Sequence, residues 1–358
     1  MAARRRPPPL RDRLVTDTDP PLLAPELVER CATRAGALRA GLDTVLFGQG
    51  ELTRAVLVAV LARGHVLLEG LPGLGKTELV KGLAALSGLD WRRVQFTPDL
   101  LPGDITGGMV LEESEGGGRA FRFHPGPVFT QILLADEINR ASPKTQSALL
   151  EAMQERRVTI LGETRDLPAP FFVLATQNPI ELEGTYPLPE AQLDRFTMKV
   201  DVRGIGAPTL ERILLERPGG VAPELAPAIS RAELDELFET VERVFLPVAV
   251  ARWIARLVAA THPDAVEAPK AVREYVKFGS SPRGAIALSR AARALALVEG
   301  RPNVGFDDVR ALAAACLGHR LVLDYRAGLD SVSRADVIAA VLDGVDELAE
   351  ALPAELDA

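Results

Sequence analysis

The stretch Gly70-Leu71-Pro72-Gly73-Leu74-Gly75-Lys76-Thr77 fills every fixed position of the pattern G-x-x-x-x-G-K-[ST]. It constrains the fold strongly, because such a loop works only between a buried strand and the start of a helix. Both are present. The apolar run His65-Val66-Leu67-Leu68 precedes it as a short strand, and Thr77-Glu78-Leu79-Val80-Lys81-Gly82-Leu83 follows as a helix. Gly70, Gly73 and Gly75 let the backbone curl so that its N–H groups and the positive helix end face an anion. Lys76 is placed to reach the outer phosphates of a nucleoside triphosphate, and Thr77 to hold Mg²⁺. Gly70, Pro72, Gly73, Leu74, Gly75, Lys76, Thr77 and Glu78 are therefore the expected nucleotide-contacting set.

A chain of 358 residues exceeds one compact core and suits two domains. With 47% hydrophobic but only 5% aromatic residues, the core must be mainly aliphatic, which suits α/β and helical layers. A net charge of −8 lacks the broad basic field of a non-specific nucleic-acid binder. Cys31 and Cys316 lie in Ala/Leu-rich surroundings and read as small buried groups. No apolar run reaches the roughly 18 residues of a membrane span, so a cytoplasmic location without membrane insertion is expected.

Residues 1–24, rich in Arg, Pro and Asp, are expected to be a disordered tail. Amphipathic helices are expected near 25–42 and 51–63, and the chain then alternates strand with helix. Strands are placed near 65–69, 92–96, 131–136, 171–175 and 198–202, giving a five-stranded parallel sheet. The domain is expected to run over 25–206, with β-hairpin insertions near 103–125 and 156–167. A linker over 207–231 and an all-helical second domain over 232–358 complete the expectation, with no strand after about Gly206.

Ile132-Leu133-Leu134-Ala135-Asp136-Glu137 is an apolar strand ending in two acids. Asp136 takes the indirect Mg²⁺ role, and Glu137 is the candidate to deprotonate attacking water. Phe171-Phe172-Val173-Leu174-Ala175 leads to Asn178, expected at the same sheet edge, where its amide can meet the terminal phosphate or the water. Two arginines can meet the charge that spreads over the transferred phosphoryl group. Arg195 precedes the last strand and suits completion of a neighbouring subunit's site, while Arg283 starts a lid helix from which it can fold back over the γ-phosphate. A structural salt bridge is the rival role for each. Arg140 and Arg156-Arg157 stay open between solvated and structural positions, and the histidines show no metal-ligand spacing.

Together these residues resemble the MoxR family of AAA+ ATPases over about residues 43–325. The likeness rests on Val45-Leu46-Phe47-Gly48-Gln49, the phosphate loop, Phe96-Thr97-Pro98-Asp99-Leu100-Leu101-Pro102, Leu134-Ala135-Asp136-Glu137-Ile138-Asn139-Arg140, Ala175-Thr176-Gln177-Asn178-Pro179, Glu183 to Phe196 and Ser281-Pro282-Arg283. The resemblance implies ATP and Mg²⁺ as cofactors, a helical lid and a homo-oligomeric ring, usually a hexamer. It also implies a chaperone-type motor that remodels, matures or activates partner proteins, often through proteins with von Willebrand factor A domains and sometimes for metal insertion. By the same likeness, Asn178 matches the first sensor, Arg195 the arginine finger, Arg283 the second sensor and Gly48-Gln49 the segment near adenine. The hairpin near 103–125 matches the insertion lining the ring. Gly284 and Gly103 depart from the usual Ala and Ser.

Two other functions stay in view. A nucleic-acid motor is disfavoured, because the segment from 103 to 118 carries Asp104, Glu112, Glu113 and Glu115 but no basic residue before Arg119. A nucleotide-gated scaffold with slow hydrolysis is compatible with every residue named.

Overall fold

The computed structural model describes residues 22–71, 73–113, 119–179, 185–217 and 222–348. The expected tail therefore lies outside the described residues except for its last three positions, of which Leu23 is already packed into the core. The first domain runs in order through α1 (Pro25–Val45), α2 (Gly50–Leu61), β1 (Val66–Glu69), α3 (Lys76–Ser87), β2 (Trp91–Gln95), α4 (Pro102–Thr106), β3 (Gly107–Glu113), β4 (Arg119–Pro125), β5 (Ile132–Asp136), α5 (Pro143–Glu155), β6 (Arg157–Ile160), β7 (Glu163–Asp166), β8 (Phe172–Gln177), α6 (Glu190–Leu193) and β9 (Met198–Asp201).

Five of these strands form one parallel sheet in the order β2-β5-β8-β1-β9. The period-two alternation of a strand divides its side chains between the two faces. Leu67, Leu133, Ala135, Val173 and Ala175 enter one core, while Val66, Leu68, Ile132, Leu134, Phe172 and Leu174 enter the other. Because both faces of β1, β5 and β8 are covered, those three read as nearly continuous apolar runs, and the sequence locates all five strands within about two residues. The two hairpins are real. β3 pairs antiparallel with β4, and β6 with β7 across Leu161 and Gly162, whose φ angles of 49° and 86° match the twist of a tight hairpin.

Beyond the sheet the chain continues through α7 (Ala207–Glu216), α8 (Arg231–Arg243), α9 (Val248–Ala260), α10 (Lys270–Tyr275), β10 (Val276–Phe278), α11 (Pro282–Val298), α12 (Phe306–Leu317), β11 (Val322–Leu323), α13 (Tyr325–Leu329) and α14 (Arg334–Gly344). Two findings depart from expectation. The stretch set aside as a linker contains α7, whose Arg212 lies over the Phe47 ring at 4.1 Å, with Arg217, just past the helix end, over the same ring at 4.0 Å. The lid also holds a two-stranded antiparallel ladder, β10 with β11, whose strands of three and two residues are too short to show a period. Helix starts follow local chemistry: Ser230 and Glu233 make a reciprocal capping box for α8, and Ser281 with Pro282 opens α11. Helix α1 ties the domains together, since Arg30 and Arg34 pair with Glu236 of α8 and α1 shares one apolar core with α3 and the lid.

Candidate functional site

The phosphate loop leaves β1 and enters α3 as expected, apart from Pro72, which lies outside the described residues. Gly73 and Gly75 have φ of 81° and 80°, a region that only glycine occupies without strain. At Gly70 a Cβ would sit 2.7 Å from the Val202 carbonyl oxygen, so only hydrogen fits. The Lys76 ammonium folds onto the loop and donates to the Gly70 carbonyl at 2.7 Å. Half-burial pulls its pKa below the ordinary lysine range, while the charges of Asp136 and Glu137 act in the opposite sense. Lysine and acidic pair therefore share one cleft. Thr77 and Leu74 are half-buried beside it, and Glu78 pairs with Lys81 at 2.8 Å. Gln49 approaches the loop, its amide Nε2 lying 3.5 Å from the Leu74 carbonyl. Gly48 and Gln49 also border a cavity of about 1110 Å³ that runs along β9 to Ala314, Gly318 and His319 of the lid.

Asp136 ends β5, and Glu137 follows it with φ of 56°, an unusual conformation for a residue with a side chain. One buried hydroxyl organises both. Thr176 Oγ1 donates to Asp136 Oδ1 at 2.6 Å and accepts from the Glu137 N–H at 2.8 Å. Arg93 holds the other Asp136 oxygen at 2.6 Å, while Gln95 and Arg140 donate to Glu137 Oε2 at 2.8 and 3.0 Å. Sequence reasoning missed Thr176, Arg93 and Gln95. Gln95 stands opposite Asp136 in the β2–β5 register, so its polarity on a strand was the available signal. Arg140, left open from sequence, is a partner of Glu137. Asn178 follows β8, which lies between β5 and β1 in the sheet, and is buried.

The two remaining arginines lie elsewhere. Arg195 precedes β9, at the end of the sheet opposite the phosphate loop, because all five strands run parallel. Four residues of strand separate these ends by roughly 13 Å before side chains are added. Arg195 borders a pocket with Ser147, Glu151 and Arg157, and its buried Nε has no hydrogen-bond partner among the described residues. Arg283 corrects an expectation. It does not fold over the chain's own loop but lies 3.6 Å from Asp194, beside Arg195, because the lid packs along β9 and delivers the start of α11 to the far end of the sheet.

For Mg²⁺ the donor set is suitable: Thr77 offers a hydroxyl and Asp136 a carboxylate, both hard oxygen ligands, and Lys76 stands beside them. Thr176 and Arg93 already engage both oxygens of that carboxylate.

Residues 65–198 match the ATPase family associated with various cellular activities (AAA), and residues 268–341 match the AAA lid domain. The chain is 45% identical to the Chaperone MoxR1 of Mycobacterium tuberculosis, over 84% of this chain and 79% of that protein. It is 35% identical to the protein MoxR of Paracoccus denitrificans, over 79% and 87% respectively. A crystal structure from Cytophaga hutchinsonii superposes with a TM-score of 0.83 at 37% identity, covering 90% of this chain and 97% of that one. Among the described residues no helix is long and apolar enough to cross a membrane. With its phosphate loop, its acidic strand end and its helical lid, the chain belongs to the MoxR family of AAA+ ATPases, enzymes that hydrolyse ATP.

Proposed function

We propose that this ATPase works as a ring of identical copies, six in the arrangement usual for its kind, and that Mg²⁺-dependent hydrolysis drives remodelling or activation of a partner protein. The observation that carries the ring is the separation of functions along the sheet. Lys76, Asp136, Glu137 and Asn178 gather at one end, whereas Arg195 and Arg283 gather at the other. A copy completes its site only by meeting the far end of a neighbour.

In this reading Lys76 and Asn178 contact the γ-phosphate, and Glu137 takes the proton of the attacking water. Arg195 and Arg283 of the adjoining copy neutralise charge on the transferred group. Thr77 and Asp136 would hold Mg²⁺, which would supply neutralisation of phosphate charge. Gly48 and Gln49 border the base, and the loop residues Gly70, Pro72, Gly73, Leu74, Gly75 and Glu78 form the rest of the cradle.

A protein client is favoured over nucleic acid by the β3–β4 hairpin, and we place that client in the cytoplasm as part of the proposal. Its basic side chains face acids, Arg119 on Glu113 at 3.0 Å and Arg122 on Glu112 at 3.4 Å. Its exposed Leu111 and Phe121 offer apolar contact instead. The relative that carries a chaperone name fits the same reading, and a von Willebrand factor A domain protein or a client receiving a metal would be specific cases of it. The deciding experiment measures ATP turnover per subunit against protein concentration. Turnover should rise steeply where rings assemble and should vanish at all concentrations in Arg195→Ala. Turnover per subunit that stays constant on dilution into monomers would reject the shared site.

A further inference from the structure

Arg320 is a guanidinium with 3% of its side chain exposed, placed at the end of a one-turn helix after α12. Its donors fan out over the segment that carries Arg195. Nε reaches Asp194 Oδ1 at 2.8 Å, and Nη2 reaches the carbonyls of Asp194 at 3.1 Å and Phe196 at 2.7 Å. Nη1 reaches the Thr197 carbonyl at 3.4 Å and also contacts the Cys316 carbonyl and the His319 ring. Asp194 in turn accepts from Ser281 Oγ at 2.9 Å and faces Arg283 at 3.6 Å. One carboxylate thus gathers three groups of the lid.

The rest of the hold on segment 194–197 comes from Phe196, wholly buried in the second core, from Thr197 N donating to the His65 carbonyl at 2.8 Å and from His319 Nε2 at 3.1 Å from the Phe196 carbonyl. Among the described residues only Arg320 and Ser281 join the Asp194 carboxylate to the lid by hydrogen bonds. The segment lies between the single turn of α6 and the start of β9, with local bonds from Arg195 N to the Gln192 carbonyl and from Phe196 N to the Leu193 carbonyl. A buried charge pair is weak evidence for stability, since apolar residues of similar volume often stabilise as well, but it fixes geometry closely. Among the described residues Arg320 makes no hydrogen bond to the Arg195 side chain or to the chain's own loop, and acts on the backbone on either side of Arg195.

We propose that Arg320 is a positioning residue: its clamp on Asp194–Thr197 sets Arg195 and Arg283 as one rigid unit for the neighbour's phosphate. The lid and the arginine finger then move together, so a lid shift in one copy alters hydrolysis in the next. This inference rests on the shared-site reading above.

Subunit mixing tests it. Arg320→Lys keeps the buried charge opposite Asp194 but loses most of the carbonyl contacts, and Asp194→Asn removes the shared carboxylate. Each should lower kcat about tenfold or more, as expected when a transition-state contact is misplaced, with KM for ATP within about twofold. Mixed with Lys76→Ala copies, which are inactive alone but carry a sound finger segment, either variant should regain turnover. A structural role alone would not be rescued by mixing. Full turnover in Arg320→Lys, or a defect that mixing leaves in place, would overturn the inference while Arg195→Ala remained inactive. Normal turnover in Arg195→Ala would instead remove the shared-site reading, and this inference with it.

Discussion

Replacing Thr176 by valine keeps the shape of a fully buried side chain and removes only its hydroxyl. That hydroxyl makes a 2.6 Å bond to Asp136 and receives a 2.8 Å bond from the Glu137 N–H. A hydrogen bond to a charged group is worth about 1.5–3 kcal/mol and a neutral one about 0.5–1.5 kcal/mol. The Asp136 side chain is 16% exposed, so water recovers part of the loss and the expected cost is about 2–3 kcal/mol. For an α/β domain of this size that lowers Tm by about 4–12 °C. A second effect falls on catalysis. The backbone of Glu137, at φ of 56°, holds a conformation that costs about 1–3 kcal/mol and is tied down by this bond. Released, it lets the carboxylate drift, and turnover should fall at least about tenfold. Thermal unfolding by circular dichroism and steady-state ATP hydrolysis measure the two effects, and Thr176→Ser should restore both. A valine variant that melts within about 1 °C of the parent and hydrolyses ATP at the parent rate would refute the claim that Thr176 organises the acidic pair.

Further outcomes follow from the same geometry. Glu137→Gln should retain ATP binding, measured by calorimetry, while turnover falls by about 10³ or more, the scale of losing a general base that also orients water. Stability should fall below pH 6.5. His65 is wholly buried, donates from Nε2 to the Met153 carbonyl and accepts at Nδ1 from the Val173 N–H, and burial pushes its pKa down to about 4. Burial also brings His319 down to about 3. The unfolded chain takes up these protons near pH 6.5, so between there and the folded values it binds more protons than the native state. Each imidazole then removes up to about 1.4 kcal/mol per pH unit as acidity increases. Urea midpoints from pH 7.5 to 4.5 should show this slope, and it should diminish in His65→Gln; a flat profile in the parent would contradict it. At Gly107, with φ of 83°, a Cβ would lie 2.2 Å from the His124 carbonyl oxygen. Gly107→Ala should therefore open the base of the β3–β4 hairpin to proteases while leaving ATP affinity unchanged. Single-stranded DNA should not stimulate hydrolysis, and stimulation that weakens steeply with salt would reopen the nucleic-acid reading.

The sequence alone determined whatever depends on neighbours in the chain. The phosphate loop, the apolar strands around it, Asp136 with Glu137, and both hairpins follow from local turn chemistry and periodicity, which act over a few residues. The position of Asn178 was legible for the same reason, since the polar residue after a buried strand must emerge at the sheet's carboxyl edge. Only tertiary structure decided what faces what across long separations. Thr176, Arg93 and Gln95 reach the acidic pair by strand pairing across some forty positions. Arg283 was misplaced because an identical helix start could lie over either end of the sheet, and the choice falls to how the lid packs along β9. Arg320 reaches the Asp194 carboxylate across 126 positions, and no local pattern marks it, because most of its other partners are backbone carbonyls that any sequence would supply.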